Sequence, residues 1–157
     1  MRKVDVLVIG TGLAGIYAAL SIDSKYRVCL IAKEMLAHSN SMLAQGGIAA
    51  ELTDDPISLE SHYEDTLKAG SYHNNKQAVK FLVSQAAEAI ESLVDFGIRF
   101  DKDAENHYLL TREGGHSKRR ILHSGGDATG YYTTHDLSTL LSYHPNIELL
   151  EQTMALD

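Results

Sequence analysis

The residues of this sequence that could do chemistry begin with a glycine-rich turn near the N-terminus. The turn fits the spacing G-x-G-x-x-G and consists of Gly10, Thr11, Gly12, Leu13, Ala14 and Gly15. In such a turn the first glycine permits a sharp bend after a strand. The second lets the backbone approach a pyrophosphate, and the third lets a helix pack on the strand. The diphosphate then lies at the helix N-terminus, where the helix dipole favours negative charge. The turn therefore predicts dinucleotide binding.

The residue that usually contacts the ribose of such a dinucleotide is missing. An acidic residue normally ends the second strand of the unit and binds the ribose hydroxyls, but Ala32 stands there. We predict the contact at Lys33, through its backbone or side chain, with Glu34 as the alternative in a shifted register. A solvated Lys33 that touches no cofactor stays open.

A second group of candidate residues lies in residues 33–57, which lack periodicity and are rich in Ser, Asn, Gly and Ala. A long irregular segment inside a compact domain is usually functional or disordered. Small hydroxyl and amide side chains can bind phosphate oxygens, and Gly46-Gly47 lets backbone N–H groups approach a ligand closely. The alternative interpretation is an ordinary surface loop.

Glu113 is the third candidate, in a polar turn over residues 112–118. Its charged neighbours are Arg112, His116, Lys118, Arg119 and Arg120. From these residues alone, a solvated basic turn is the better interpretation. His116, His123 and Arg120 are weaker candidates. The eight histidines show no metal-type spacing such as H-E-x-x-H, so we predict no metal site.

The elements that must position these residues begin with a βαβ unit. Residues 4–9 and 27–32 are β-branched and apolar, which is typical of strands buried on both faces. Residues 13–23 between them have helical spacing of apolar residues. The unit predicts two parallel strands with a right-handed crossover, and Cys29 packed inside the second strand.

The sequence after the βαβ unit predicts three further helices and several short strands. The helices are expected at 58–69, capped by Ser58 and stopped by Gly70, and at 76–96, ended by Gly97. A third helix is expected to be capped by Asp127 or Thr129 and to run to about Tyr143. The second has one apolar stripe of Val79, Leu82, Val83, Ala86, Ile90, Leu93 and Val94. Short β pieces are expected at 98–101, 107–111 and 120–122, and a last strand at 146–150.

Composition bounds the class of protein. The chain has 157 residues, 44% apolar and 22% charged, which fits one globular domain and excludes a disordered chain. Its net charge of −7 argues against a nucleic-acid partner for the chain as a whole, although a local basic patch stays open. A single cysteine excludes an internal disulfide and fits a reducing cytoplasm. The apolar N-terminal stretch is interrupted by Asp5 and three glycines, which argues against a signal peptide or membrane span.

Several segments resemble the succinate dehydrogenase/fumarate reductase flavoprotein superfamily. Residues 39–50, S-N-S-M-L-A-Q-G-G-I-A-A, resemble its flavin loop. Four more segments resemble one branch, the L-aspartate oxidases: E-D-T-L-K-A-G at 64–70, T-R-E-G-G-H-S at 111–117, R-I-L-H at 120–123 and D-A-T-G at 127–130. Together these segments extend the resemblance over essentially the whole chain.

The resemblance implies FAD as the cofactor. Its contacts would be Asn40, Ser41, Met42, Leu43, Ala44, Gln45, Gly46 and Gly47, besides the glycine turn. In the membrane-bound members of the superfamily a histidine of this loop attaches FAD covalently. Asn40 holds that place here and His38 lies two residues away, so non-covalent FAD is implied.

The resemblance also implies an activity. L-Aspartate would be oxidised to iminoaspartate, with O2 or fumarate as acceptor, in the first step of de novo NAD biosynthesis in the cytoplasm. Quinolinate synthase would be the pathway partner. Glu113 would orient the substrate by pairing with its ammonium group. The alternatives are a soluble fumarate reductase or succinate dehydrogenase flavoprotein, or a non-catalytic FAD-binding fragment.

The fold implied is α/β, a partial Rossmann-type FAD-binding domain with a parallel sheet. Residues 1–157 would be its N-terminal segment, truncated before the capping domain, and the C-terminal helical domain would also be absent. The strands at 4–9, 27–32 and 146–151 would lie in the order third, second, first. The helices 13–23 and 76–96 would pack on them. Lacking the cap and the catalytic arginine, the chain alone would be inactive.

Overall fold

The computed structural model describes residues 3–156, which form two compact units. The first unit comprises the described residues up to Gln45 and from Ala128 onward, and the second comprises Gly46–Asp127. The strands are β1 (Val6–Ile9), β2 (Val28–Ile31), β3 (Ile48–Ala49), β4 (Ile121–Leu122) and β5 (Ile147–Leu150). The α-helices are α1 (Leu13–Ser21), α2 (Pro56–Ala69), α3 (Lys76–Asp95) and α4 (Thr129–Leu140).

The first unit is built on a parallel sheet in the order β1-β2-β5. This confirms the predicted βαβ unit and the predicted strand order. In the register of the sheet, Val28 pairs with both Val6 and Ile147. All four residues of β2 are buried, as predicted for the central strand.

The prediction that residues 4–9 are buried on both faces is wrong. Leu7 and Ile9 are 52% and 66% exposed. The burial of β1, which is also an edge strand of this three-stranded sheet, alternates along the strand, so only one of its faces is covered among the described residues. Apolar composition alone does not distinguish an edge strand from a central one.

Helix α1 packs against β1, β2 and α4. It buries Ile16, Ala19 and Leu20, and it ends at Ser21 because Ile22 is already extended. Helix α4 starts at Thr129 and is followed by a 3-10 turn over Leu141–Tyr143. Neither predicted cap is used, since the N-cap position belongs to Ala128.

The second unit contains the helix pair α2 and α3, which pack against each other. Helix α3 lies in this unit and the parallel sheet in the other, so the predicted packing of the helix at 76–96 on that sheet stays a prediction. Leu67, Val79 and Val83 form a cluster in the core of this helix pair. Leu82 and Val94, predicted for the apolar stripe, are instead 65% and 37% exposed.

The start of α2 corrects another expectation. The helix begins at Pro56, and the cap is Asp55, whose carboxylate accepts the backbone N–H groups of Ile57 and Ser58 at 3.4 and 3.0 Å. A capping aspartate followed by proline at the first helical position is a stronger start signal than a serine three residues later. Ser58 therefore lies inside the helix.

The irregular segment at 33–57 contains β3, which pairs with β4 in an antiparallel ribbon. Of the predicted β pieces, only 120–122 forms a strand among the described residues. Residues 107–111 take part only in isolated bridges, Lys102 with Tyr108 and Thr111 with Ile121. In residues 3–156 no helix is long and apolar enough to cross a bilayer.

Candidate functional site

The glycine turn joins β1 to α1 with the geometry that its spacing predicts. Gly10 has a φ of +111° and donates its N–H to the Ile31 carbonyl at 2.8 Å. A Cβ on Gly15 would collide with the Gly10 carbonyl oxygen. The third glycine is therefore required where the helix leaves the turn, as in dinucleotide-binding units.

The predicted flavin loop meets this turn inside the first unit. The Ser41 hydroxyl accepts the backbone N–H of Leu13 at 3.0 Å, in the first turn of α1. A Cβ on Gly12 would lie only 2.9 Å from the same Ser41 oxygen. Two segments 28 positions apart are thus joined at the helix end whose dipole favours anions.

The first half of the flavin loop packs against the start of helix α4. The Gly130 N–H donates to the Ala44 carbonyl at 3.1 Å. A Cβ on Gly130 would clash with the carbonyl oxygens of Ser41 and Ala44. The Met42 side chain is buried in the protein, whereas Leu43 is 72% exposed. Gly130 is thus a supporting residue that the sequence assigned only to a helix entry.

Several of the predicted ribose and flavin contacts are exposed, in contrast to the buried Met42. Lys33 and Glu34 are exposed directly after β2, and Asn40 and His38 are exposed as well. Their roles toward a cofactor stay predictions.

In the second unit, the end of the flavin loop lies against Glu113. Gly46 has a φ of +81°, and a Cβ there would lie 3.3 and 3.5 Å from the two carboxylate oxygens of Glu113. A Cβ on Gly47 would clash with the Leu122 carbonyl and lie 3.1 Å from Cε1 of His123. The Gly-Gly pair therefore lets the backbone run directly beneath a carboxylate and an imidazole.

His123 has polar partners on both ring nitrogens. Its Nδ1 lies 3.2 Å from the Gly126 carbonyl, and its Nε2 lies 2.8 Å from the Thr111 hydroxyl and 3.3 Å from Oε1 of Glu113. A carbonyl only accepts, so Nδ1 carries a proton. Glu113, whose side chain is 44% exposed, faces both this ring and solvent.

Arg120 corrects the interpretation of residues 112–120 as a solvated basic turn. Arg112, Lys118 and Arg119 are exposed, but Arg120 is fully buried. Its guanidinium donates to Asp65 at 2.6 Å and to the Ser61 hydroxyl at 3.1 Å. Its Nε lies 3.5 Å from the Glu51 carboxylate.

This buried cluster shifts two pKa values. Burial would raise the pKa of Asp65, but hydrogen bonds from Ser117 and Arg120, with the charge of Arg120, lower it from 3.8 to about 2. Burial is also the largest effect on His62, followed by the charges of Arg120 and His116. Together they lower its pKa from 6.5 to about 4.

Sequence reasoning did not find this cluster's helix partners. Ser61, His62 and Asp65 lie on α2, more than 50 positions before Arg120. No local spacing signals such a pairing. The cluster ties the Glu113 turn to α2 and so gives that turn a rigid base.

One group of possible metal-ligand side chains lies apart from these residues. Ligand atoms of Asp103, Glu105 and His107, all exposed, lie within 4.8 Å of one another. The Asp103 carboxylate accepts the N–H groups of Glu105 and His107 at 2.9 and 2.8 Å. The group is explained as an Asp-stabilised turn.

The fold and the glycine turn define a class of protein. A parallel βαβ unit whose glycine turn opens a helix, with a hydroxyl-bearing loop on that turn, is typical of dinucleotide-binding α/β domains. The chain belongs to the FAD binding domain family, whose model matches residues 5–157. FAD is thus the cofactor, and the glycine cradle at Gly12 with the Ser41 hydroxyl fits its diphosphate.

Known relatives narrow the class further. The L-aspartate oxidase of Clostridium acetobutylicum is 40% identical over 157 residues, which is 99% of this chain and 35% of that protein. That of Pseudomonas aeruginosa is 45% identical over 160 residues, 98% of this chain and 29% of that protein. The chain therefore spans about a third of the length of the curated relatives it matches.

Solved structures agree with the fold. A variant of E. coli quinol fumarate reductase FrdA matches with a TM-score of 0.87 and 25% identity, over 96% of this chain and 26% of that chain. The Sdh1 complex of Mycobacterium smegmatis in the apo form matches with a TM-score of 0.85 and 25% identity, over 96% of this chain and 28% of that chain. The predicted FAD-domain fold is confirmed.

Proposed function

We propose that this chain is the N-terminal FAD-binding segment of an L-aspartate oxidase. The enzyme oxidises L-aspartate to iminoaspartate with non-covalent FAD, and O2 or fumarate is the acceptor. The reaction is the first step of de novo NAD biosynthesis in the cytoplasm, and quinolinate synthase consumes its product. Capping and C-terminal helical domains would come from the further length that the relatives have.

The observation that carries this proposal is the contact of Glu113 with Gly46. Gly46 belongs to the loop proposed to follow the flavin, and the Glu113 carboxylate covers its backbone. L-Aspartate differs from succinate and fumarate by an ammonium group. A carboxylate beside the flavin loop can pair with that group, whereas a plain dicarboxylate gains nothing from it.

The proposed roles of this chain's residues follow from this placement. FAD, when bound, accepts the hydride from the substrate. The turn at 10–15 with Ser41 holds the diphosphate, and Lys33 contacts the ribose. The loop at 40–47 lies along the cofactor, where Asn40 cannot form the histidine linkage of the covalent flavoproteins. Glu113 orients the substrate through its ammonium group.

The test is Glu113→Gln in an L-aspartate oxidase that contains this segment. A charge-assisted hydrogen bond contributes roughly 1.5–3 kcal/mol. We therefore expect kcat/KM for aspartate to fall about ten- to a hundredfold, with little change for succinate or fumarate. FAD content stays unchanged. Glu105→Gln, whose wild-type side chain is 80% exposed in another turn, is the matched control.

Equal losses for all three dicarboxylates would show that Glu113 only shapes its turn. Turnover of succinate without aspartate would favour the fumarate reductase or succinate dehydrogenase alternative, which the structural likeness to FrdA also supports. Titration of the 157-residue chain with FAD, followed by flavin fluorescence, separates a binding segment from an empty fragment. We expect binding without aspartate turnover, and acid precipitation should release the flavin.

A further inference from the structure

The side chain that faces Glu113 has no role in the function proposed above. His123 places Nε2 3.3 Å from Oε1 of Glu113 and 2.8 Å from the Thr111 hydroxyl. Its side chain is only 11% exposed, against 44% for Glu113. The imidazole is therefore largely buried, whereas the Glu113 carboxylate next to it is partly open to solvent.

The orientation of this ring is set by a chain of hydrogen bonds behind it. The Asp101 carboxylate accepts the N–H groups of Gly125 and Gly126, both at 2.9 Å. This fixes the Gly126 carbonyl, which accepts from Nδ1 of His123 at 3.2 Å. The Asp101 N–H in turn donates to the His123 carbonyl at 2.8 Å. With Nδ1 engaged from behind, Nε2 must point toward Glu113.

The His123 ring fits beside the flavin loop because residue 47 is a glycine. A Cβ at that position would lie 3.1 Å from Cε1 of His123. The imidazole and the carboxylate thus rest side by side on the Gly46-Gly47 backbone. A carboxylate on a flexible glutamate side chain loses rotamer entropy when it is held in one place, so a fixed neighbour improves its binding geometry.

We propose that His123 is a positioning residue that holds the Glu113 carboxylate over Gly46 for the ammonium group of an amino-dicarboxylate substrate. This rests on the proposed role of Glu113 and adds a residue that tunes selectivity. Nδ1–H is anchored on the Gly126 carbonyl. Nε2–H donates to Oε1 of Glu113 beside the Thr111 hydroxyl.

The first experiment tests the contact between His123 and Glu113 by NMR and does not require a catalytically active enzyme. Side-chain 15N–1H spectra of the histidines are recorded for the 157-residue chain and its Glu113→Gln variant. We expect both ring nitrogens of His123 to carry protons, with Nδ1–H on the Gly126 carbonyl and Nε2–H on Glu113, and a change in its Nε2 resonance in the variant. The resonances of His107, 76% exposed in a separate turn, should stay in place. An unchanged His123 resonance would overturn the proposal.

The second experiment uses an oxidase that contains this segment. In His123→Leu, which lacks both ring nitrogens, we expect the ratio of kcat/KM for aspartate to that for fumarate to fall about three- to tenfold, as for one lost hydrogen bond. The loss should appear mainly in KM for aspartate. His107→Gln is the control and should leave the ratio unchanged.

A pair of conservative variants separates positioning from a structural role. His123→Gln places an amide near the former Nε2 and can still donate to Glu113, whereas His123→Asn reaches only the former Nδ1 position. We expect Gln to restore most of the ratio and Asn to resemble Leu. If Gln and Asn behave alike, the positioning role fails. If Glu113→Gln itself leaves the ratio unchanged, the proposed role of Glu113 fails as well.

Discussion

His62 makes the stability of this protein depend on pH in a defined window. The side chain is 3% exposed, its Nδ1 has no hydrogen-bond partner among the described residues, and its pKa is lowered from 6.5 to about 4. The folded protein therefore keeps His62 neutral where the unfolded chain already binds a proton. Stability must fall as the pH drops through the interval from 6.5 to 4.

The size of the effect follows from the two pKa values. Each unit of difference corresponds to about 1.36 kcal/mol, so the full interval amounts to roughly 3 kcal/mol. Folded proteins are stable by only about 5–15 kcal/mol. Asp65 acts in a lower window, because its pKa of about 2 lets its stabilisation persist until the pH falls below 3.8.

The assay is urea unfolding at pH 7 and pH 4.5, followed by circular dichroism, on wild type and His62→Leu. Wild type should lose about 2–3 kcal/mol more than the variant between these two pH values. His107→Gln, which removes an exposed histidine, should behave like wild type. If His62→Leu lost as much stability as wild type on acidification, the reasoning from burial and the Arg120 charge would be refuted.

Two further predictions concern Arg120 and the glycine turn. Arg120→Met leaves the half-buried carboxylates of Asp65 and Glu51 without the buried Arg120 charge and should lower the free energy of unfolding by about 3–5 kcal/mol. Arg112→Met, at an exposed position, should change it by less than about 0.5 kcal/mol, and similar small losses in both variants would refute the network around Arg120. Gly15→Ala forces a shift of the turn and should weaken FAD binding at least about tenfold by flavin fluorescence. Gly114→Ala, where a Cβ meets nothing within 4 Å, should bind FAD like wild type.

Local chemistry was enough to predict the first unit's framework. Buried runs of β-branched residues, a glycine turn and a helical spacing are all short-range signals, and the parallel pairing of β1 with β2 follows from their connection. The same applies to α3, which starts after the capping Asn75 close to its predicted position. The predicted start of α2 at Ser58 was wrong because Asp55, three residues earlier, is the cap.

The sequence by itself therefore determined the βαβ unit, the glycine turn and the approximate positions of the helices. Only the tertiary structure decided that β1 is half exposed, that Arg120 is buried and that Glu113 lies over Gly46. The physical reason is that apolar periodicity reports which face of an element is covered, but not what covers it. Contacts across more than 50 positions depend on how the separate elements pack.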